Sequence, residues 1–164
     1  MPMPENDITS KFRLGMRNFV YSVSVVSNYH QGKINAITVS SVTSVSLDPP
    51  SIVVSVNKKS SVHSSLISDS IFCINVLTAD QQYIAEICSD PKRSNERSRH
   101  FELLDGDTPL LSDALLNIIS RVDKVFEYHS HSLVVGIVQD VKSRESQESL
   151  IYQDGTYKIL PKQY

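Results

Sequence analysis

Apolar and polar residues alternate along most of this chain with the two-residue period that is typical of half-buried β-strands. The strands that the pattern predicts are Val20–Ser27, Lys33–Leu47, Ile52–Val56, Ile71–Leu77 and Leu116–Val125, with a further apolar strand inside Phe126–Val141. Turn-forming residues at Asn28–Gly32 and at Asp154-Gly155 predict hairpins. Closing a sheet removes its edges, so at least six mostly antiparallel strands favour a mainly β fold that forms a barrel.

Three short segments between these strands are predicted to be helices. They are Ile8–Phe19, Ser61–Ser70 and Ala79–Cys88. Thr9 or Ser10 is the expected cap of the first helix, and Thr78 with Gln81 forms a capping box for the third. The strand Ile71–Leu77 is apolar apart from one asparagine, which predicts burial on both of its faces.

Small hydroxyl residues fill the segment Ile37–Leu47, where an ordinary half-buried strand would carry charged side chains. They are Thr38, Ser40, Ser41, Thr43, Ser44 and Ser46. The corner Asp48-Pro49-Pro50 ends the segment, because a double proline belongs at a turn or at a strand entry. We interpret the segment as a wall for a flat, hydrogen-bonding ligand; the alternative is a Ser/Thr-rich barrel strand that binds nothing.

A second polar stretch, Asn57-Lys58-Lys59-Ser60-Ser61, follows the strand Ile52–Val56 and precedes the predicted helix Ser61–Ser70. Free backbone N–H groups at a helix start, beside two ammonium groups and several hydroxyls, favour the binding of an anion. We therefore predict a phosphate at this strand exit. The alternative is a pair of lysines at a solvated helix end.

Several blocks of the sequence resemble those of one protein family. The blocks are Thr38–Ser41, Thr43–Pro50, Ser70–Gln82, the histidine block Tyr128–Gly136 and Tyr152-x-x-Gly155-x-Tyr157. With them the chain resembles, over most of its length, the flavin reductase family of small NAD(P)H:flavin oxidoreductases. The resemblance implies an FMN-binding split β-barrel, which is a Greek-key-like antiparallel barrel with a few peripheral helices.

The resemblance also implies which residues bind the flavin. Those expected to hold the ring are Thr38, Val39, Ser40 and Ser41, and those expected to hold the ribityl chain and phosphate are Asn57, Lys59, Ser60 and Ser61. Two further hydroxyls, Ser44 and Ser46, either contact the flavin or only line the barrel surface. Three residues, Ser22, Ala36 and Val62, depart from the family pattern; the first two are expected to add bulk near the ring, and the third removes a phosphate donor.

His131 takes the place of the family histidine, and we expect it to contact the nicotinamide as the catalytic residue. His129, two residues earlier, is the alternative, because it would point to the same face of a strand. Tyr157 either closes the pocket or belongs to a dimer contact.

By this resemblance the protein transfers a hydride from NAD(P)H, its substrate, to FMN or FAD and supplies the reduced flavin to a separate monooxygenase. The resemblance implies a homodimer. The sequence contains no catalytic triad and no glycine-rich phosphate loop, which fits chemistry that the cofactor carries. The alternatives are an FMN-binding split-barrel protein without NAD(P)H turnover and a flavoprotein that reduces another acceptor, such as a metal centre.

Composition and charge exclude other functions without changing this picture. The 164 residues carry a net charge of −2, which argues against nucleic-acid binding, and Cys73 and Cys88 are too isolated for a metal site or a disulfide framework. We expect buried thiols, a single domain over residues 1–164 with a loose arm at 1–7, and a surface loop at Ser89–His100. A chain without a membrane span or a signal-peptide pattern is expected in the cytoplasm.

Overall fold

The structure of the protein, a computed structural model, describes residues 7–145 and 147–162. Within these residues the chain forms two α-helices, α1 Ile8–Met16 and α2 Gln82–Ser89. It also forms the strands β1 Tyr21–Ser22, β2 Ser24–His30, β3 Lys33–Val39, β4 Val42–Leu47, β5 Pro50–Asn57, β6 Ile71–Val76, β7 Glu102–Leu104, β8 Thr108–Leu110, β9 Leu116–Tyr128, β10 His131–Ser143, β11 Ser149–Gln153 and β12 Thr156–Leu160. The 3-10 segments are His63–Ser65, Ala79–Gln81, Pro91–Glu96 and Ser98–His100.

Seven strands form one antiparallel sheet in the order β3-β2-β6-β9-β10-β5-β4. Although β3 and β4 are consecutive in the chain, they lie at opposite ends of this order, and Ser40 and Ser41 connect them. Buried residues from β2, β3, β5, β6, β9 and β10 meet in one interior cluster, so the sheet curls into a barrel that is split between β3 and β4. The mainly β antiparallel barrel with a few helices is confirmed.

The predicted single run Lys33–Leu47 is wrong, because the structure divides it into β3 and β4 at Ser40 and Ser41. Ser41 turns the chain with its own side chain: its hydroxyl donates to the Ser55 carbonyl oxygen at 2.9 Å and accepts the Ser55 N–H at 3.2 Å. One serine hydroxyl thus replaces a backbone rung at the end of the β4–β5 ladder.

The barrel interior is packed with aliphatic side chains around Phe72, whose side chain has no solvent exposure. Gly136 lies against this ring at a register shift between β9 and β10. A Cβ atom at Gly136 would come within 2.7 Å of Phe72 Cζ and 3.0 Å of Ser120 Cβ. Glycine is therefore required here by the close approach of the ring.

A second buried cluster lies on the outer face of the sheet, where α2 packs through Ile84, Ala85 and Cys88. The Thr78 N–H donates to the Gln81 side-chain oxygen at 3.0 Å, so the predicted capping box is present ahead of α2. Cys73 and Cys88 are both free and buried, as predicted.

The asparagine of the central strand β6, Asn75, is fully buried and joins three parts of the sheet. Its amide nitrogen donates to the Val25 carbonyl oxygen at 3.0 Å and to Ser27 Oγ at 2.9 Å. Its oxygen accepts the Leu111 N–H and the Asn117 amide, both at 2.9 Å. The polar group therefore has partners on every side, and β6 is buried on both faces as predicted.

The predicted helix Ser61–Ser70 is wrong, since only His63–Ser65 winds, as a single 3-10 turn. Val62 and Leu66 are buried in the barrel interior, and this packing decides the path of the segment. The Ser65 hydroxyl donates to the Val62 carbonyl oxygen at 2.8 Å, a local bond that competes with a regular helix.

Other boundaries differ by a few residues. Helix α1 ends at Met16 rather than Phe19, and its N-cap is Asp7, not Thr9 or Ser10. The hairpins are tighter than predicted. The connection between β2 and β3 is a two-residue turn at 31–32, and the connection between β9 and β10 is a two-residue turn at 129–130. The turn at 154–155 is confirmed, and residues 1–6 of the predicted arm lie outside the described part of the chain.

Candidate active site

A cleft of about 720 Å³ opens where β3 ends, beside the exit of β5 and the start of β10. The structure brings nine predicted site residues together in its lining: Thr38, Val39, Ser40, Ser41, Asn57, Lys59, Ser60, Ser61 and His131. These residues come from three separate stretches of sequence. Ile37 and Ser55 also line the cleft, and the segment 88–97 supplies the remaining wall through Cys88, Ser89, Pro91, Ser94 and Arg97.

Ser44 and Ser46, which were expected either to contact the flavin or only to line the barrel surface, do not line the cleft. Both lie on β4, where Ser44 pairs with Ile52 and the Ser46 hydroxyl accepts the Asp48 N–H at 3.1 Å. Their position on β4 favours the interpretation that they only line the barrel surface.

The three residues that depart from the family pattern also lie outside the cleft lining. Ala36 and Val62 are fully buried, each in one of the two hydrophobic clusters, and Ser22 pairs with Ile151 in β11. The expected bulk of Ala36 and Ser22 beside the ring is therefore wrong, since neither side chain lines the cleft wall.

Fewer hydroxyl groups of the segment Thr38–Ser41 are available to bind a ligand than the sequence indicates. The Thr38 hydroxyl donates to the Ala85 carbonyl oxygen at 2.7 Å, and the Ser41 hydroxyl is engaged with Ser55. Ser40, in contrast, is exposed at the crossing between β3 and β4. Thr38 and Ser41 thus fix the shape of the wall, and Ser40 lines the cleft as an exposed residue.

The phosphate site predicted at the exit of the strand Ile52–Val56 differs in the structure from the helix start that we expected. No helix begins there, because the Asn57 side-chain oxygen accepts the Lys59 N–H at 2.9 Å and the Asn57 carbonyl accepts the Ser60 N–H at 3.0 Å. The Lys59 and Ser60 N–H groups are thereby used in a turn. Ser60 Oγ, however, is buried and has no hydrogen-bond partner within the described residues, although Ser60 lines the cleft. A rotation of the Ser60 side chain towards the cleft would allow a ligand oxygen to supply that partner.

Arg97 is a residue of the cleft lining that the sequence interpretation missed. Its side chain is 5% exposed and donates to the carbonyl oxygens of Ala36 at 2.7 Å and Asp90 at 2.8 Å. It also donates to Ser61 Oγ at 3.2 Å. The polar run Ser89–His100 predicts only a surface loop, and the surplus of basic residues at 92–99 was the one signal in it.

The charge of the cleft follows from its lining. Lys59, Arg97 and His131 supply the ionisable nitrogen groups, and no aspartate or glutamate side chain is among the residues that line it. Burial raises the pKa of the neighbouring Cys88 thiol to about 11, although the Arg97 charge lowers it. The cleft is therefore cationic in a chain whose net charge is −2.

His131 begins β10, opposite Asn57 of β5 and Tyr128 of β9. Its Nδ1 atom lies 2.9 Å from Ser130 Oγ, which orients the ring. His129 instead occupies the turn, with φ +47°, and its ring packs edge-on against Tyr128 at 4.5 Å. His131 lines the cleft and His129 does not, so geometry favours the first of the two histidines.

This arrangement fits a planar ligand with an anionic tail. Exposed Ser40 and backbone groups of 37–41 flank one side, while Lys59, Arg97 and the unpartnered Ser60 hydroxyl gather at the other. A flavin mononucleotide has both features, a flat hydrogen-bonding ring and a phosphate. The residues present therefore fit the group that the family resemblance implies.

Comparison with known proteins also indicates the flavin reductase family. A family model described as "Flavin reductase like domain" matches residues 16–161. The reductase component of an FADH(2)-dependent resorcinol hydroxylase from Rhizobium sp. (strain MTP-10005) is 30% identical over 154 residues, 92% of this chain and 86% of that protein. An NADH:riboflavin 5'-phosphate oxidoreductase from Streptomyces pristinaespiralis is 31% identical over 134 residues, 80% of this chain and 76% of that protein.

A solved structure shows the same fold. The flavin reductase component of a bacterial two-component tryptophan halogenase is similar with a TM-score of 0.85 and 28% identity, over 94% of this chain and 99% of that one. In the part of the chain that the structure describes, no helix has the length and apolar character needed to cross a membrane.

Proposed function

Because the chain belongs to the flavin reductase like domain family, we propose that it transfers a hydride from NAD(P)H to FMN or FAD and supplies the reduced flavin to a separate monooxygenase. The observation that carries this proposal is the cationic cleft in which nine predicted site residues meet. The relatives support it by name, since one is an NADH:riboflavin 5'-phosphate oxidoreductase and another is the reductase component of a hydroxylase.

The residues of this chain bind and orient; the bound flavin supplies the redox chemistry, because its ring accepts the hydride. We assign the wall Thr38–Ser41 to the ring and the group Asn57, Lys59, Ser60 and Ser61 to the ribityl chain and phosphate. Ser60 Oγ, once its side chain rotates towards the cleft, gains the partner that it lacks among the described residues, and Lys59 with Arg97 neutralises the phosphate charge.

His131 is our candidate for orienting the hydride donor. Its ring stands at the cleft wall, held at Nδ1 by Ser130, so Nε2 is the nitrogen that faces a partner. Hydride transfer between two cofactors needs no nucleophile from the protein. We therefore assign His131 to the positioning of the nicotinamide through a hydrogen bond.

The proposal extends to assembly and location. Exposed apolar residues of α1, among them Ile8 at 75% and Phe12 at 67% exposure, support a homodimer, because such surface favours association. Two free thiols, Cys73 and Cys88, support a reducing compartment such as the cytoplasm. The family match over 16–161 supports one domain over residues 1–164.

The test is steady-state oxidation of NADH and of NADPH by the purified protein, with FMN, with FAD and without flavin. We expect flavin-dependent turnover, and we expect His131→Ala to lower kcat/KM for the nicotinamide substrate by about tenfold, the value of one lost hydrogen bond. His129→Asn is the matched control, since asparagine tolerates the positive φ of that turn.

Two results would contradict the proposal. A protein that binds FMN but oxidises neither NADH nor NADPH would be a flavin-binding barrel without reductase activity. Turnover that appears only when a ferric or cobalt complex is added would indicate a metal centre as the physiological acceptor. Equal losses in His131→Ala and His129→Asn would remove His131 from its assigned role.

A further inference from the structure

His63 lies close to the candidate active site without lining it. It follows Ser61, which does line the cleft, by two residues and begins the 3-10 turn His63–Ser65. The half-buried His63 side chain instead borders a separate cavity of about 350 Å³, whose lining includes the carboxylates Asp123 and Glu127. Any role for His63 in ligand binding must therefore act through another residue.

The side chain that His63 contacts belongs to Ser132, the second residue of β10. His63 Nε2 lies 2.8 Å from Ser132 Oγ, and Ser132 is completely buried. Successive side chains of a strand point to opposite faces, so Ser132 faces away from the cleft while its neighbour His131 lines it. The hydrogen bond thus fixes the start of β10 from the side opposite the cleft.

Backbone contacts hold the same two segments together. The Lys58 N–H donates to the Ser130 carbonyl oxygen at 3.0 Å, and Asn57 pairs with His131 in the register between β5 and β10. These contacts lie at the beginning of the loop Asn57–Ser61, which we assign to the ribityl chain and phosphate. The side-chain bond to β10 comes just after the loop, so the loop is tied to this strand at both of its ends.

The turn that carries His63 is itself anchored. Val62 has no solvent exposure and Leu66 is 3% exposed, and both belong to the barrel interior. Ser65 Oγ accepts a hydrogen bond from the Asn28 side-chain amide at 2.7 Å, which joins the turn to β2. The His63 ring is therefore held beside β10 by residues on both sides of it in sequence.

We propose that His63 is a positioning residue for the phosphate of the flavin. Through its bond to Ser132 it holds the loop Asn57–Ser61 against β10 in the conformation that receives the phosphate. The proposal rests on the proposed function for the identity of the ligand. A loop that is released from β10 has to be ordered when the phosphate binds, and that ordering lowers the affinity for a phosphorylated ligand.

The experiment removes the hydrogen bond and compares two ligands that differ only in the phosphate. FMN and riboflavin carry the same ring and ribityl chain, and their Kd values are measured by quenching of flavin fluorescence. His63→Leu removes the bond and keeps apolar bulk, whereas His63→Gln places an amide group where Nε2 lies. His30→Leu is the matched control, because His30 is also half-buried but lies at the end of β2 and outside the cleft lining.

We expect His63→Leu to raise the Kd for FMN roughly two- to twelvefold, the value of one hydrogen bond, and to leave the Kd for riboflavin unchanged. His63→Gln should restore most of the FMN affinity. Ser132→Ala should reproduce the effect of His63→Leu, and the double variant should lose no more than either single variant, because all three lack the same bond. Circular dichroism of each variant confirms that it is folded.

Hydrogen exchange in the ligand-free protein measures the loop directly. The Lys58 amide, which bonds across to β10, should exchange two to twelve times faster in His63→Leu than in the wild-type protein or in His30→Leu. Equal increases in the Kd for FMN and for riboflavin, or a Lys58 amide that exchanges at the wild-type rate, would overturn the positioning role. A wild-type protein that binds FMN, with an unchanged ratio of the two Kd values in His63→Leu, refutes this inference alone. A wild-type protein that binds neither flavin refutes the proposed function as well.

Discussion

Arg97 connects the stability of this protein to its affinity for an anion, and Arg97→Met tests both. The guanidinium joins β3, the residues after α2 and the loop at Ser61 through its bonds to the Ala36 and Asp90 carbonyl oxygens and to Ser61 Oγ. Methionine fills much of the same volume but donates no hydrogen bond. The change therefore separates packing from hydrogen bonding and charge.

The loss of stability follows from the groups left without a donor. Two short bonds to carbonyl oxygens, at 2.7 and 2.8 Å, disappear around a side chain that is 5% exposed. Each hydrogen bond to a charged group contributes about 1.5–3 kcal/mol, and release of the buried charge offsets part of the sum. We expect the free energy of unfolding to fall by about 3 kcal/mol, measured by urea denaturation.

The loss of affinity follows from the charge. A phosphate oxygen bonded to Ser61 would lie about 6 Å from the guanidinium, given the 3.2 Å between Arg97 Nη1 and Ser61 Oγ. Coulomb's law at an effective dielectric constant near 20 gives about 3 kcal/mol for unit charges at this separation, and solvent screening reduces it. We expect the Kd for FMN to rise roughly 5- to 150-fold in fluorescence titrations.

Two further variants decide the cause. Arg97→Lys keeps the charge but not the fork of donors, so it should lose stability while retaining more FMN affinity than Arg97→Met. Arg93→Ala, in the same segment, removes a guanidinium that pairs with Glu96 at 2.9 Å outside the cleft. An FMN Kd that changes no more in folded Arg97→Met than in Arg93→Ala would refute the electrostatic argument, and unchanged urea midpoints would refute the structural one.

Other predictions concern the core. Asn75→Leu should lower the free energy of unfolding by about 3 kcal/mol, measured in urea, because several buried partners lose their bonds. Gly136→Ala should cost about 1–3 kcal/mol in the same assay, since the new Cβ atom overlaps the Phe72 ring. Burial raises the pKa of Cys73 to about 12 and of Cys88 to about 11, so native protein at pH 8 should not react with a thiol reagent until urea unfolds it. These thiols ionise more readily when unfolded, so their contribution to stability is complete below pH 9 and declines as pH rises towards 11; a thermal melting temperature that rises over that range would contradict this.

Much of the fold follows from local patterns. The alternation of apolar residues locates most strands, and turn residues such as Asp154-Gly155 locate hairpins, because both signals depend on near neighbours in sequence. The error at Ser61–Ser70 has a tertiary cause: Val62 and Leu66 are drawn into the barrel interior, and their spacing alone does not distinguish that packing from a helix. The break at Ser40 depends on a bond from Ser41 to a distant strand, which a local pattern cannot indicate.

In the candidate site, too, some features follow from the local sequence and others depend on tertiary contacts. The wall Thr38–Ser41, His131 and the group Asn57, Lys59, Ser60 and Ser61 were predicted from the residues and the resemblance, and the structure brings them together. Arg97 was missed because its burial comes from contacts with β3 and the Asp90 carbonyl, while its neighbours in sequence are polar and exposed. The bond between His63 and Ser132 likewise joins two segments that lie 69 residues apart in sequence.

The crossing at Ser40 and Ser41 lies where the barrel is split between β3 and β4, and the same two residues line the candidate cleft. No backbone ladder joins β3 to β4 there, and the Ser41 side chain supplies the rung to Ser55. We expect a ligand bound across this split to stabilise the closed barrel. The exchange of β3 and β4 amide hydrogens with solvent should then slow by about tenfold for each tenfold rise in ligand concentration above the Kd.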